Sequence, residues 1–311
     1  MKRILVLLSL ACVVFSLSAQ TLERVTPESV GMDAQRLSNA DAAIEQAIQK
    51  KNIPGAVLAV VRHGKMAYIK AYGNKRVDPK NEPMTIETVF DMASCSKAMS
   101  TAVCTMTLIE QGKIRLQDRV SDYIPGYEGW TDEKGNKTAI RIIDLLTHTS
   151  GLPAYADANM LKEKYGAPNR DGLIDYIAHC KRNFKPGTDM TYSCLNFITL
   201  QRIIETVSGE DLQKYAHHHV FDVLGMKNTD YNPSKEMAKR CAPTEKQPNG
   251  KCLLGYVHDP LAGIMNGGIS GNAGVFTTAD DVAILCAALQ NGGEWNGHRI
   301  LGPATVKAMR T

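Results

Sequence analysis

The 311-residue chain has no marked excess of either charge: 36 Lys and Arg stand against 32 Asp and Glu, a formal net charge of +4. A balance this close gives no reason to invoke nucleic acid as a partner. Long apolar runs are missing after the first twenty residues, so no membrane span is expected in the body of the chain. Internal repeats and low-complexity tracts are absent too. Cysteine is present but lacks a pattern. Beyond Cys12 there are thiols at 95, 104, 180, 194, 241, 252 and 286, an odd number at irregular spacing. That fits neither a disulfide scaffold nor a zinc site. Cys241 and Cys252 flank a turn-like Gln247-Pro-Asn-Gly250, and the sequence leaves their pairing open. His217, His218 and His219 lie on an expected helix without carboxylates at ligand spacing, so neither a metal nor another cofactor is expected.

What is present begins with an export signal. Met1-Lys-Arg precedes an apolar run from Ile4 to Leu17, followed by Ser18-Ala19-Gln20. This has the form of a secretory signal peptide, residues 1–19, cleaved after Ala19. Its removal takes away Lys2 and Arg3 and leaves a net charge of +2 on a secreted or periplasmic protein with no stable membrane span. Cys12 lies inside the run rather than at its end, which argues against lipidation. Residues 20–311 then suffice for one large domain or two closely packed lobes. Asp33 caps an amphipathic helix reaching about Lys51, with Leu37, Ala43, Ile44, Ala47 and Ile48 turned inward. Ala56–Val61 and Met66–Tyr72 read as two strands across a tight His63-Gly64 turn. Further helices are expected at about 141–147, 171–181, 195–208, 211–224 and 279–290, with a fresh one starting at Pro303.

The stretch richest in chemistry is Phe90-Asp-Met-Ala-Ser-Cys-Ser-Lys97. Beyond it, apolar residues recur at Ala98, Ala102, Met106 and Ile109, a helical spacing that Gly112 stops. Ser94 falls at or near the helix start with Lys97 three residues on, so both side chains share a face. A serine hydroxyl is a poor nucleophile until a base takes its proton, and an amine one turn away can be that base. Free N–H groups and the positive dipole end of the helix suit an oxyanion. On its own, Ser-x-x-Lys reads as a serine N-cap followed by a solvated lysine. Here the segment is apolar on both sides, and Lys97 is an odd charge to bury for packing alone. Cys95 competes poorly as nucleophile, because neighbouring helix positions face different directions.

Three more blocks follow: Leu145-Leu-Thr-His-Thr-Ser-Gly-Leu152, Pro186-Gly-Thr-Asp-Met-Thr-Tyr-Ser-Cys-Leu-Asn196 and Gly271-Asn-Ala-Gly-Val-Phe-Thr-Thr-Ala-Asp280. In this order, with the Ser94 block, they resemble the serine β-lactamase and penicillin-binding-protein family, most closely its class C-related branch with D-alanyl-D-alanine peptidases and esterases. The resemblance implies an α/β (α+β) fold: a mixed lobe with an antiparallel sheet, a helical lobe at about 98–290, and a site in the groove between them. It implies an acyl-enzyme reaction with Ser94 as nucleophile, Lys97 as base and Tyr192 as proton relay, on a small-molecule or peptidoglycan-peptide substrate. The family's Tyr-x-Asn block places an asparagine on the substrate amide. Here the third position is Cys194, and Asn196 comes two residues late, so the resemblance makes Cys194 and Asn196 the substrate-binding candidates. A thiol is a weak hydrogen-bond partner, which tilts the expectation from β-lactam hydrolysis towards a peptidase or esterase. The resemblance gives His148 a turn-fixing role, in preference to a Ser-His-Asp triad with Asp144.

The family's third element, a Lys- or His-Thr/Ser-Gly strand, has no match downstream of Tyr192. Val207-Ser-Gly209 and Ile269-Ser-Gly271 both lack the basic residue. A lone hairpin is also a poor sheet, since roughly three strands are needed for a stable apolar face. The expectation is therefore a chain lacking its C-terminal strands, with an incomplete sheet and part of the oxyanion hole missing. A different class of function stands beside the hydrolase: an envelope binding or sensor protein of the same fold that turns over slowly or not at all. Covalent labelling with steady turnover separates the two. Oligomeric state has no signature in the sequence.

Overall fold

The structure, a computed structural model, describes residues 21–310. The expected signal peptide lies outside the described residues. Asp33 opens helix α1 (Ala34–Gln49) by accepting a hydrogen bond from the Arg36 N–H at 3.1 Å. Strands β1 (Gly55–Arg62) and β2 (Lys65–Arg76) pair antiparallel, from Gly55 opposite Gly73 to Arg62 opposite Lys65. His63 and Gly64 between them both take the left-handed conformation, with φ of 52° and 69°, as a tight hairpin turn needs. A two-residue strand, β3 (Glu82–Pro83), extends the sheet on the β2 side. The outer edge of β1 has no strand partner among the described residues.

The chain then enters β4 (Phe90–Asp91), winds through a wide π-helical turn at Lys97–Ala102 and continues as α2 (Val103–Glu110). A small hairpin, β5 (Trp130–Thr131) with β6 (Lys137–Thr138), precedes α3 (Ile142–Leu146), α4 (Ala158–Tyr165) and α5 (Arg170–His179). Next come α6 (Cys194–Ser208), α7 (Leu212–Ala216), α8 (Asp222–Leu224), β7 (Asp230–Tyr231) and α9 (Lys235–Arg240). The C-terminal part holds β8 (Val275–Thr277), α10 (Ala279–Gln290), the β9–β10 hairpin (Glu294–Trp295 with His298–Arg299) and α11 (Pro303–Ala308). A second antiparallel sheet runs β4-β8-β7, with Phe90 opposite Thr277 and Tyr231 opposite Val275.

Helix α6 is the axis of the helical body. Leu195, Leu200, Ile203 and Ile204 are wholly buried, and Phe197 and Ile198 nearly so. Each such side chain contributes roughly 1.5–3 kcal/mol by leaving water. A helix buried this completely holds its first turn still, and that first turn carries Cys194 and Asn196.

Several expectations need correction. No residue of α1 is fully buried, and Ala43 is exposed, because the helix rests on one face of a small sheet. Of the periodic set Ala98, Ala102, Met106 and Ile109, Met106 is buried and Ala102 and Ile109 pack against the core. Ala98 is exposed, whereas Ser96, Lys97, Ser100, Thr101 and Thr105 are buried. The π turn widens the helix and shifts its phase, and the buried hydroxyls find acceptors, as Thr101 Oγ1 does on Gly271 O at 2.8 Å. Helix α10, expected in the helical lobe, lies against β1. Helices α4 and α9 were not expected, although Asp157 and Ser234 cap them. Strand β8 escaped detection because it is buried on both faces and shows no alternation. The seven described cysteines are free, so Cys241 and Cys252 do not pair.

Candidate active site

Strand β8 fixes Ser94 from both sides. Val275 O accepts from the Met92 N–H at 2.9 Å, and the Val275 N–H donates to Ser96 Oγ at 3.1 Å. Between these anchors the chain turns sharply at Ala93, whose φ is 43°, a left-handed conformation that an alanine adopts only under local constraint. Asp91 supplies part of that constraint: its Oδ1 accepts from the Ala93 N–H at 2.9 Å, and its Oδ2 from the His258 N–H at 2.8 Å. Ser94 emerges exposed at the tip. Its backbone N–H donates to no acceptor among the described residues.

Lys97 is 3% exposed, a cost for an ionisable group that its partners offset. Its Nζ donates to Ser94 Oγ at 3.0 Å, to the Asn272 carbonyl at 2.9 Å and to Cys194 Sγ at 3.6 Å. The ring of Tyr192 stands beside it, with Nζ 5.0 Å from the ring centre. Tyr192 is half-exposed, and among the described residues its hydroxyl makes no hydrogen bond to Ser94 or Lys97. Ser94 and Lys97 are thus brought together with Tyr192 and Cys194 from two separate segments.

Asn196 is not. It is wholly buried, its Oδ1 accepting from Ser150 Oγ at 2.5 Å and its Nδ2 lying 3.0 Å from His148 Nδ1. Both ends of the amide are used inside the protein, so the expected substrate contact is turned away from the groove. One residue past Cys194 on a helix is a different face, and two residues past it is different again.

His148 does not face an acid. Asp144 accepts from the Arg141 N–H at 2.8 Å and caps α3, and burial pushes its carboxyl above the usual range. His148 Nδ1 accepts from the Ser193 N–H at 3.0 Å. Burial, with the nearby Lys97 charge, drives its imidazole down to about 4. The triad geometry is absent. His217, in contrast, does find carboxylates that its spacing did not reveal, Asp222 at 2.9 Å and Asp230 at 3.0 Å, and they raise it to about 9.

The Asn272 carbonyl is a functional group that sequence reasoning missed, since a backbone oxygen has no residue signature. The glycine before it carried the signal. A Cβ on Gly271 would stand 2.0 Å from the Phe197 carbonyl, so only glycine lets this loop meet α6. Gly271→Ala is expected to cost about 1–3 kcal/mol of stability and to pull the Asn272 carbonyl off Lys97. Thermal melting and Ser94 acylation rates check both effects, which should appear together.

A cleft of about 600 Å³, lined by Thr21, His63, Lys65, Gln290 and Trp295, lies at the hairpin end, away from Ser94. Its lining brings no nucleophile and base into contact, so chemistry rather than size selects the Ser94 groove.

Comparison with known proteins identifies the family and the fold. A family model described as Beta-lactamase matches residues 40–311. The chain is 32% identical over 308 residues to an N-acetylmuramyl-L-alanine amidase of Bacillus subtilis (strain 168), covering 91% of this chain and 69% of that protein. It is 30% identical over 338 residues to a candidate D-alanyl-D-alanine carboxypeptidase of Escherichia coli (strain K12), covering 100% and 77%. Among solved structures it resembles EstCE1, a hydrolase with promiscuous acyltransferase activity, with a TM-score of 0.72 at 28% identity over 92% of this chain and 77% of that one. A class C beta lactamase shares the fold, with a TM-score of 0.68 at 22% identity over 90% and 70%. With so much of its length matched, and with the expected mixed fold in place, the chain belongs to the Beta-lactamase family.

Proposed function

We propose that the protein is an exported serine hydrolase that works through an acyl-enzyme on Ser94 and prefers esters to β-lactams and D-alanyl amides. The observation that carries this is the contact of 3.0 Å between Ser94 Oγ and the buried Lys97 Nζ. Ser94 Oγ attacks the carbonyl carbon as its proton passes to Lys97 Nζ, which then hands it on. The leaving group departs with a proton relayed through Tyr192, whose ring already stands against Lys97. Water, activated by the same pair, then cleaves the acyl-enzyme. The Ser94 N–H, at the exposed tip of the turn, receives the developing oxyanion.

The substrate preference rests on Cys194 and Asn196. The thiol is directed at Lys97 and the asparagine is used internally, so this segment presents no side-chain amide to a substrate amide. An ester does not need one. Cys194→Asn is expected to raise acylation by penicillin relative to a short-chain ester about 3–10-fold, the worth of one neutral hydrogen bond. The relatives described as amidase and carboxypeptidase make peptidoglycan amides the substrates to compare.

The test is to measure turnover of a nitrophenyl ester, a D-alanyl-D-alanine peptide and a penicillin, alongside labelling by a fluorophosphonate. Ester turnover exceeding the other two supports the reading. Labelling of Ser94 without turnover of any substrate assigns the chain to the envelope sensor class instead.

A further inference from the structure

We infer that His148 is a positioning residue for the Tyr192 proton relay, acting as a neutral imidazole that holds the relay segment from below. The inference rests on the acyl-enzyme reading and deepens it. His148 grips the segment at four successive places. Its backbone carbonyl accepts from the Thr191 N–H at 3.1 Å. Its ring lies against Tyr192, with centroids 4.4 Å apart and planes at 35°. Its Nδ1 accepts from the Ser193 N–H at 3.0 Å and stands 3.0 Å from Asn196 Nδ2. Phe197 closes the other side at 5.2 Å.

A backbone N–H can only donate, so Nδ1 must carry a lone pair and the ring proton must sit on Nε2. Protonating Nδ1 would turn an acceptor towards two donors and push the segment away. The backbone of His148 is itself left-handed, with φ of 61°, a conformation held by the Thr-Ser-Gly turn around it. The charged and titratable groups facing the ring are Lys97 from the serine helix and Tyr192 from the loop before α6. Asp144 of α3 is turned onto its own helix start. Burial and the Lys97 charge both oppose protonation, so the imidazole stays neutral until the pH approaches about 4.

Two variants separate the hydrogen bond from the stack. His148→Phe keeps a ring beside Tyr192 and Phe197 but leaves Ser193 N–H and Asn196 Nδ2 without their acceptor. His148→Asn keeps an acceptor near the Nδ1 position but has no titrating group. His148→Phe is expected to lower kcat about 10–100-fold with little change in KM, the effect of a small misplacement of a reacting group. His148→Asn should retain most of kcat. In wild type the acid limb of the kcat/KM profile should steepen from one proton to two below about pH 4, and in His148→Asn it should not. Nitrogen-15 NMR of the wild-type imidazole should show an unprotonated Nδ1 titrating near the same pH. Full kcat in a folded His148→Phe, a protonated Nδ1 at neutral pH, or the same steepening in His148→Asn overturns the positioning role. Should His148→Phe unfold, the pH profile of His148→Asn and the NMR tautomer still decide for or against that role. A wild-type protein inert to fluorophosphonate overturns the acyl-enzyme reading and the relay together, whereas a reactive wild type with an equally fast His148→Phe overturns only the role of His148.

Discussion

Ser94→Ala is expected to abolish covalent labelling by a fluorophosphonate or a penicillin and to lower ester turnover roughly 10⁴–10⁶-fold. The change removes one oxygen from an exposed side chain, so stability should move little. That separation matters, because loss of activity in a protein that melts normally can be assigned to chemistry. Cys95→Ala is the companion measurement. Cys95 is an exposed free thiol one residue along, but Lys97 donates to Ser94 and to Cys194, not to Cys95. Labelling should therefore survive Cys95→Ala nearly unchanged. Labelling that survives Ser94→Ala and vanishes with Cys95→Ala would make the thiol the nucleophile and overturn the proposed mechanism.

The second expected result is a failure of additivity. Lys97→Ala and Tyr192→Phe should each slow acylation about 10²–10⁴-fold, the range for a general acid–base group. The double variant should be scarcely slower than the worse single one, because both residues serve one proton transfer. Tyr192→Phe keeps the ring, hence the contact with Lys97 and the stack on His148, and removes only the hydroxyl. Any loss it causes belongs to proton transfer. Lys97→Ala also strips a donor from the buried Asn272 carbonyl, so its melting temperature must be measured beside its rate. Losses that multiply in the double variant would place Tyr192 outside the relay.

The legibility of the site followed the range of its interactions. Ser94 and Lys97 are three residues apart on one helical segment, and their contact at 3.0 Å is the one that local spacing anticipates. Tyr192 lies about a hundred residues further on, and only the order of the four motif blocks connected it to them. Asn196 shows where such reading fails. Its place in the block suggested a substrate contact, but Ser150 and His148 claim both ends of its amide. Which groups a buried polar side chain satisfies is decided by neighbours from other elements. On the serine helix a π turn shifts the helical phase, so Ala98 of the periodic apolar set stays exposed while Lys97 beside it is buried.

Local rules determined the elements that need only local information. Asp33 capping α1 and the His63-Gly64 turn are satisfied by residues a few positions away. Tertiary structure decided the rest. It bridged the serine turn with β8, brought the Asn272 carbonyl to Lys97 through a glycine that grazes α6, and set a neutral His148 beneath Tyr192. These are contacts between segments far apart in the chain, 179 residues in the case of Val275 and Ser96. They depend on close packing around α6, where distances of a few ångströms between elements are fixed by the shapes of all the side chains at once, and no window along the chain contains that information.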